Sequence, residues 1–458
     1  MPSPDLISRR HAPLTPLLAK ELRDLLAGRA LWAVMLLLCP IMGYGFVQAT
    51  ALYSEASRSA ASFPELARGL SPLDGVLVPT FGAFYVAVTL LFPFVAIRAL
   101  GAEKQNGGLK LLLQLPYRSA TLIVTKLVAV LAGWLLAAMP ALSALALWSL
   151  LGGHLWPAET LNLLLGHLLY GLLIACIGLF AAAVTESPAT AAILALAFTL
   201  GAWILDFAAA GQGAWLRRLA ELSPTAALRG FETGLLSGPA VLGILTASAT
   251  FGALACTWLR PAPPDRRRMA LSAGIMVGTL AVGALVGQAR YYLDTAEDRR
   301  NSFSPVDEAA LRQVTKPLAV TIYLSPEDPR FADFNRQVLS KLRRLMPGLS
   351  ATLAETSKSF FSQADDDRYG LIRYEYGSAQ AESRSTSPRE VLPLIYELTG
   401  VTASPSVGTN YVGYPIVVDG HMAALWFYGV LPTIVVFGWW LSRRPIRLRR
   451  LRATGDSS

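Results

Sequence analysis

The sequence predicts an α-helical polytopic membrane protein of about eight transmembrane helices, with an extracytoplasmic α/β domain inserted between the last two spans. Three observations predict it: long uncharged apolar runs, an uneven placement of Lys and Arg around them, and one charged stretch with its own strand and helix patterning. The chain is 53% hydrophobic and only 16% charged, which is a membrane composition. Crossing a ~30 Å hydrocarbon core takes about 20 apolar residues. Runs of that kind occupy 30–49, 77–97, 127–151, 161–184, 188–205, 239–259, 269–288 and 422–442. The fifth is the shortest and stops at Asp206.

Charge placement sets the expected orientation. With both termini cytoplasmic, the inner segments hold 20 Lys and Arg, while the short outer loops 50–76, 152–160 and 206–238 hold two, none and three. That bias is the positive-inside pattern. It also explains the net charge of +9, because basic residues at the inner flanks face anionic headgroups; nucleic acid is not expected as a partner. The first span is expected to be retained, since a 29-residue amphipathic leader is the wrong n-region for a signal peptide.

The expected division follows the composition. Residues 1–29 form a cytoplasmic amphipathic elbow helix and 30–260 a six-helix membrane core. Residues 261–289 form a basic linker and seventh span, 290–421 the α/β domain, and 422–458 the eighth span with a basic cytoplasmic tail. In the elbow segment, leucines at 14, 17, 18, 22, 25 and 26 make a helical stripe, with Lys20, Glu21, Arg23 and Asp24 mostly opposite it. Pro40, Pro93, Pro140 and Pro432 interrupt the first, second, third and last spans and can kink them. Trp32, Trp148, Trp203, Trp258, Trp426, Trp439 and Trp440 read mostly as interface anchors.

Between the second and third spans, residues 103–119 form a short charged amphipathic segment containing Glu103, Gly107, Gly108, Leu109, Leu112 and Pro116, with Lys126 beyond it. This pattern resembles the cytoplasmic loop of ABC-2 type transporter permeases: Glu, three variable residues, Gly-Thr-Leu-Glu, a leucine pair, Pro and a later Lys. Gly108 stands where Thr is usual and Lys110 where an acidic residue is usual. The elbow segment, and residues 222–234 ahead of the sixth span, resemble parts of the same family. The resemblance implies a permease subunit in a bacterial inner (plasma) membrane, coupled to a separate ABC ATPase through 103–119. A second permease half is then required, as a homodimer or a related chain. In that reading Glu103 offers the ATPase a charged contact, the glycines bend the chain, and leucines 109–115 face the ATPase or the bilayer. Nothing in the spans selects a substrate. A non-transporting scaffold that passes ATPase-driven force to an extracytoplasmic partner of 290–421 is the alternative.

Residues 290–421 carry 15 Lys and Arg and 17 Asp and Glu, enough for one globular domain. Strands are expected at 318–324, 349–356 and 370–376, and helices at 331–346 and 389–398, a small α/β layer pattern. Segments 320–326, 373–377 and 388–400 resemble the auxiliary domain of gliding-motility-type ABC transporter subunits.

No G-x-x-x-x-G-K-[ST] loop occurs, so no P-loop cradle for ATP phosphates is expected in this chain; ATP–Mg would be bound by the partner. H-E-x-x-H, G-x-S-x-G and C-x-x-C are likewise absent, no catalytic residue is assigned, and the chain is not expected to be an enzyme. Cys39, Cys176 and Cys256 lie within spans, at no metal-type spacing. Asp365–Asp367 read as a solvated loop, and no metal is assigned. His167, in the fourth span, is an intramembrane polar residue. Its expected role is a hydrogen bond to a neighbouring helix, with a substrate or proton contact as the other reading.

Overall fold

A computed structural model describes residues 14–208, 223–259, 264–354, 368–402 and 411–443. Among these, eight helices are long and apolar enough to cross a membrane: Arg29–Ser62, Leu73–Gln105, Ser119–Leu150, Pro157–Val184, Pro188–Leu205, Gly238–Leu259, Asp265–Val286 and His421–Ser442. They follow the eight apolar runs, and most start earlier or end later than the run itself. The first continues past Ala49 through Ser62 because its polar end is used: Ser54 Oγ and Ser57 Oγ accept from the backbone N–H groups of Val418 and Ile416, each at 3.0 Å.

The prolines act differently from one another. Pro40 and Pro93 sit inside unbroken helices. Near Pro140 the third span divides into Ser119–Ala137 and Met139–Leu150. Pro432 follows a π-turn at Trp426–Val430. Packing also corrects one anchor: Trp148 is fully buried, edge-on to Tyr53 at 5.6 Å, and its Nε1 donates to His154 O at 3.0 Å. A buried indole N–H needs such a partner.

Spans one to four share a core containing Leu38, Phe46, Phe84, Phe92 and Trp148. The elbow helix Leu14–Ala27 lies against the third span, where an added Cβ at Gly133 would come within 2.9 Å of Leu25. The seventh span buries no residue.

The opposite end of the bundle, hereafter the sheet-side end, carries the α/β unit. Strands β1 (Leu235–Ser237) and β2 (Tyr292–Asp294) pair antiparallel, tying the start of the sixth span to the exit of the seventh. The main sheet has the order β4-β3-β5-β6, from β3 (Leu318–Ile322), β4 (Ser350–Leu353), β5 (Ile372–Tyr376) and β6 (Ala379–Ser383). β3 is parallel to β4 and antiparallel to β5. Leu318, Val320 and Ile322 alternate into the core beside Tyr374, as a period-2 strand with one covered face requires. The crossover from β3 to β4 is helical from Pro329 to Leu345, with a π-turn at Asn335–Leu339.

The expected strands are present with shorter ends, the one expected at 349–356 being a strand over Ser350–Leu353, while the two expected helices start earlier, at Pro329 and Pro388, the second running to Thr399. β6 and the helix Pro305–Leu311 add to that plan. The expected short helix before the sixth span is Pro224–Glu232, capped by Ser223 Oγ accepting from Ala226 N at 3.0 Å. Asp365–Asp367, Gly211 and Gly213 lie outside the described residues.

Candidate functional site: an ion network beneath a surface helix

Four charged side chains from three helices meet at the elbow end. Lys126, near the start of the third span, is 1% exposed. Its Nζ donates to both carboxylate oxygens of Glu21 at 2.9 Å and to Ala99 O at 2.8 Å, and it pairs with Glu103 Oε2 at 2.6 Å. Lys20 pairs with the other oxygen of Glu103 and reaches Asp24 at 3.3 Å. Two ammonium groups thus face the carboxylates of Glu21 and Glu103, with Asp24 on the rim. Burial works against the charge on Lys20, but the carboxylates of Glu103, Glu21 and Asp24 outweigh it and hold its pKa above the usual lysine range. A cavity of about 250 Å³ adjoins the network, lined in part by Asp24, Arg98 and Asn106.

The elbow helix supplies Lys20 and Glu21 one residue apart, so one carboxylate turns inward while the neighbouring ammonium stays half-exposed. Glu103 closes the second span from the inside. Lys126 is enclosed and matched by two carboxylates. Glu21, expected opposite the apolar stripe, is buried for the same reason. Arg23 is exposed. Lone charges could not occupy these positions, since desolvating a carboxylate or ammonium costs several kcal/mol unless geometry and further hydrogen bonds compensate.

After Gln105 the chain reverses. Gly107 takes φ +76°, a left-handed turn that favours glycine, and Gly108 N donates to Asn106 Oδ1 at 2.9 Å. The helix Gly108–Gln114 follows, ending before Pro116, where the chain must leave helical conformation. Its leucines divide between two faces. Leu109 is buried and Leu112 and Leu113 pack on the same cluster; Leu111 is 67% exposed and Leu115 46%. Lys110 and Gln114 share the exposed face. The apolar residues at 109–115 are therefore half anchor and half free surface. Lys104 anchors the turn from the other side, its Nζ donating to the carbonyls of Ala182, Ala183 and Thr185 at 2.6, 2.7 and 2.9 Å. These are terminal carbonyls of the fourth span, which lack helical partners. Sequence reasoning singled out Glu103 and passed over Lys104; a lysine in the last turn of a helix is the signal that was there.

His167 lies apart from this network. It is 2% exposed, against Phe81 and Phe84 at ring distances of 5.0 and 5.8 Å. Its Nε2 stands 3.7 Å from Glu232 Oε1, too long for a hydrogen bond. Burial pushes the Glu232 carboxyl up to about 7, with the Arg229 charge opposing. Among the described residues no group of three or more His, Cys, Asp or Glu side chains is placed to hold a metal ion.

Residues 15–222 match the family model described as ABC-2 family transporter protein. Over that segment the chain is similar to ABC-2 family transporter proteins. The eight apolar helices and this similarity together support a multi-pass membrane protein. Comparison with curated proteins and with solved structures gives no match. The matched segment takes in the elbow helix, the first five spans, the ion network and the Gly108–Gln114 helix; the sixth to eighth spans and the α/β unit lie beyond it.

Proposed function

We propose that the chain is the permease subunit of an ABC-2 type export system, driven by a separate ATPase that docks at the elbow end. The observation that carries this reading is the buried network of Lys20, Glu21, Glu103 and Lys126, which fastens a surface helix to two spans. The ATPase meets the exposed face of Gly108–Gln114 and the outer side of the elbow helix. Glu103 then transmits the push instead of touching the motor, because its carboxylate is committed inward. Displacing the elbow helix moves the second and third spans with it, since separating them would leave buried charges unmatched. Nucleotide-dependent closure of two ATPases would bias two such halves between inward- and outward-open arrangements.

In this reading the elbow end and both termini are cytoplasmic, as the Lys and Arg distribution supports, and the α/β unit is an extracytoplasmic auxiliary domain of gliding-motility type. ATP–Mg belongs to the partner, and a second permease half completes the transporter. The test is a reconstituted complex with its ATPase. Leu111→Asp, on the exposed face, is expected to weaken ATPase capture at least tenfold while leaving the melting temperature of the chain unchanged. Glu103→Lys and Leu112→Pro are expected to uncouple ATP hydrolysis from activity while membrane insertion persists. Full coupled activity in all three variants would sink the docking assignment.

A further inference from the structure

Two hollows meet where the seventh span exits toward the α/β unit. One, of about 690 Å³, is an apolar cleft between the sixth and seventh spans, with Gly243, Ala247, Thr279 and Gly283 among its walls. The other, of about 480 Å³, lies against the α/β unit and gathers Arg290, Arg299, Arg312, Lys341 and Arg344 with only Asp294 and Glu308 against them. Leu235 and Tyr292 line both. The cleft also shares Ala247 and Thr279 with a third hollow of about 460 Å³, walled by Phe180, Phe198 and Phe251, deeper among the spans.

The two acids are largely committed. Asp294 accepts from Asn301 N at 2.9 Å and Ser302 Oγ at 2.7 Å, and Glu308 pairs with Arg312 at 3.5 Å. Arg290 and Arg299 have no ion-pair partner among the described residues. Lys341 and Arg344 each donate to a backbone carbonyl, of Ser302 and Asn301. Burial lowers the pKa of both below the usual range, with the Asp294 charge opposing. An excess of cation therefore sits at the mouth of a cleft that has no charge of its own. A soluble anion would leave the cleft unused, and an uncharged amphiphile would leave the cations unmatched.

We propose that this junction binds one phospholipid-like amphiphile with an anionic headgroup. The phosphate sits among Arg290, Arg299, Lys341 and Arg344, where guanidinium groups give charge-assisted, bidentate hydrogen bonds. An acyl chain lies in the cleft and continues toward the phenylalanine-walled hollow. The seventh span, which has no fully buried residue, forms one wall of a site whose other component is lipid. Basic pockets between membrane helices recognise anionic headgroups by this chemistry. The site is independent of the docking surface at the elbow end.

The test is native mass spectrometry of the purified full chain, titrated with phosphatidylglycerol, with phosphatidylcholine of the same chains, and with glycerol 3-phosphate. The expected result is one phosphatidylglycerol bound at least tenfold tighter than phosphatidylcholine or glycerol 3-phosphate. The double substitution Arg290→Gln with Arg299→Gln should bring phosphatidylglycerol to the phosphatidylcholine level. Gly283→Trp should weaken both lipids at least tenfold, since a Cβ at Gly283 meets open space in the cleft. Equal binding of the two lipids, glycerol 3-phosphate binding as tightly as phosphatidylglycerol, or wild-type lipid affinity in either variant would overturn the proposal. The variants act on separate surfaces, so misfolding of one leaves the other to decide. No ATPase is present, so a negative result leaves the permease reading standing.

Discussion

At the elbow end, charges are buried and matched one against another; at the sheet-side end, they are half-exposed and shared among many partners. Lys126 and Glu21 are almost wholly enclosed. At the sheet-side seam, Arg300 pairs with Asp74 and with Asp298 at 2.9 Å and donates to Ser71 Oγ at 3.0 Å, the three charged side chains keeping partial access to water. His154 stacks on Tyr414 at 3.7 Å and bonds Glu297 Oε2 at 3.0 Å, while Tyr414 Oη donates to the other Glu297 oxygen. The 411–420 segment is held to the first span by Tyr53 Oη donating to Tyr414 O and to the connection before the second span by Tyr414 N donating to Leu70 O. Losing one member of the buried set strands a charge without water, whereas losing one member of the exposed seam lets water replace it. The first end suits stiff transmission and the second suits adjustable attachment.

The largest effect should come from the buried side. Lys126→Met leaves Glu21 and Glu103 with only the half-exposed Lys20 between them and is expected to cost about 3–5 kcal/mol, read as a lowered melting temperature in detergent. An unchanged melting curve would mean the two ends are fastened alike. By contrast, Arg300→Gln should cost no more than about 1 kcal/mol by the same measurement.

Glu232 sharpens the contrast, because it is a sheet-side carboxyl buried without close compensation. Its pKa is raised from the usual 4.5 to about 7, so the folded state holds the proton more tightly than the unfolded chain. Its contribution to stability should therefore be greatest below about pH 4.5 and fall as pH rises through 7, by up to about 3 kcal/mol at about 1.36 kcal/mol per pKa unit. Thermal unfolding of Glu232→Gln at pH 5 and pH 8 should show a smaller difference than the parent protein.

Gly413→Ala probes the seam through shape. Gly413 has φ +76°, and an added Cβ would lie 1.7 Å from Ala67 O, so about 1–3 kcal/mol of strain or displacement is expected. Limited proteolysis should then cut the 411–420 segment faster while leaving the elbow end protected.

The smallest effect lies inside the α/β unit. Asp328 caps the helix at Pro329 by accepting from Arg330 N at 2.9 Å, and it also accepts from Tyr369 Oη at 2.7 Å. Hydrogen bonds from Arg330 and Tyr369 hold its carboxyl down at about 2. Its contribution is present above the usual 3.8 and lost as pH falls toward 2. Asp328→Ala should cost about 1 kcal/mol at neutral pH and much less near pH 2, as measured by chemical unfolding followed through the α/β unit.

The spans were legible because crossing a membrane depends on uninterrupted apolar length, which is written consecutively along the chain. β3 and its crossover helix were legible for a related reason: periods of 2 and 3.6 are local. β6 was missed because its sequence, Ala379-Gln380-Ala381-Glu382-Ser383, has no apolar alternation; it forms by pairing in register with β5, Tyr374 opposite Ala381. The candidate site was half legible. Glu103, Lys126 and Glu21 stood out as charges beside apolar runs, but nothing local said that they face one another.

The sequence by itself determined how many helices can span, where the charged surface segment lies, and which stretch folds as a sheet, because each depends on residues close together in the chain. The tertiary structure alone decided that Glu103 looks inward, that Leu109 and Leu111 serve opposite faces, and that a basic pocket opens onto an apolar cleft. Lys126 and Glu21 are 105 positions apart, and Arg290 and Arg344 reach one pocket from a span exit and from a helix of the α/β unit. Burial and charge matching are properties of neighbours in space, and packing chose those neighbours.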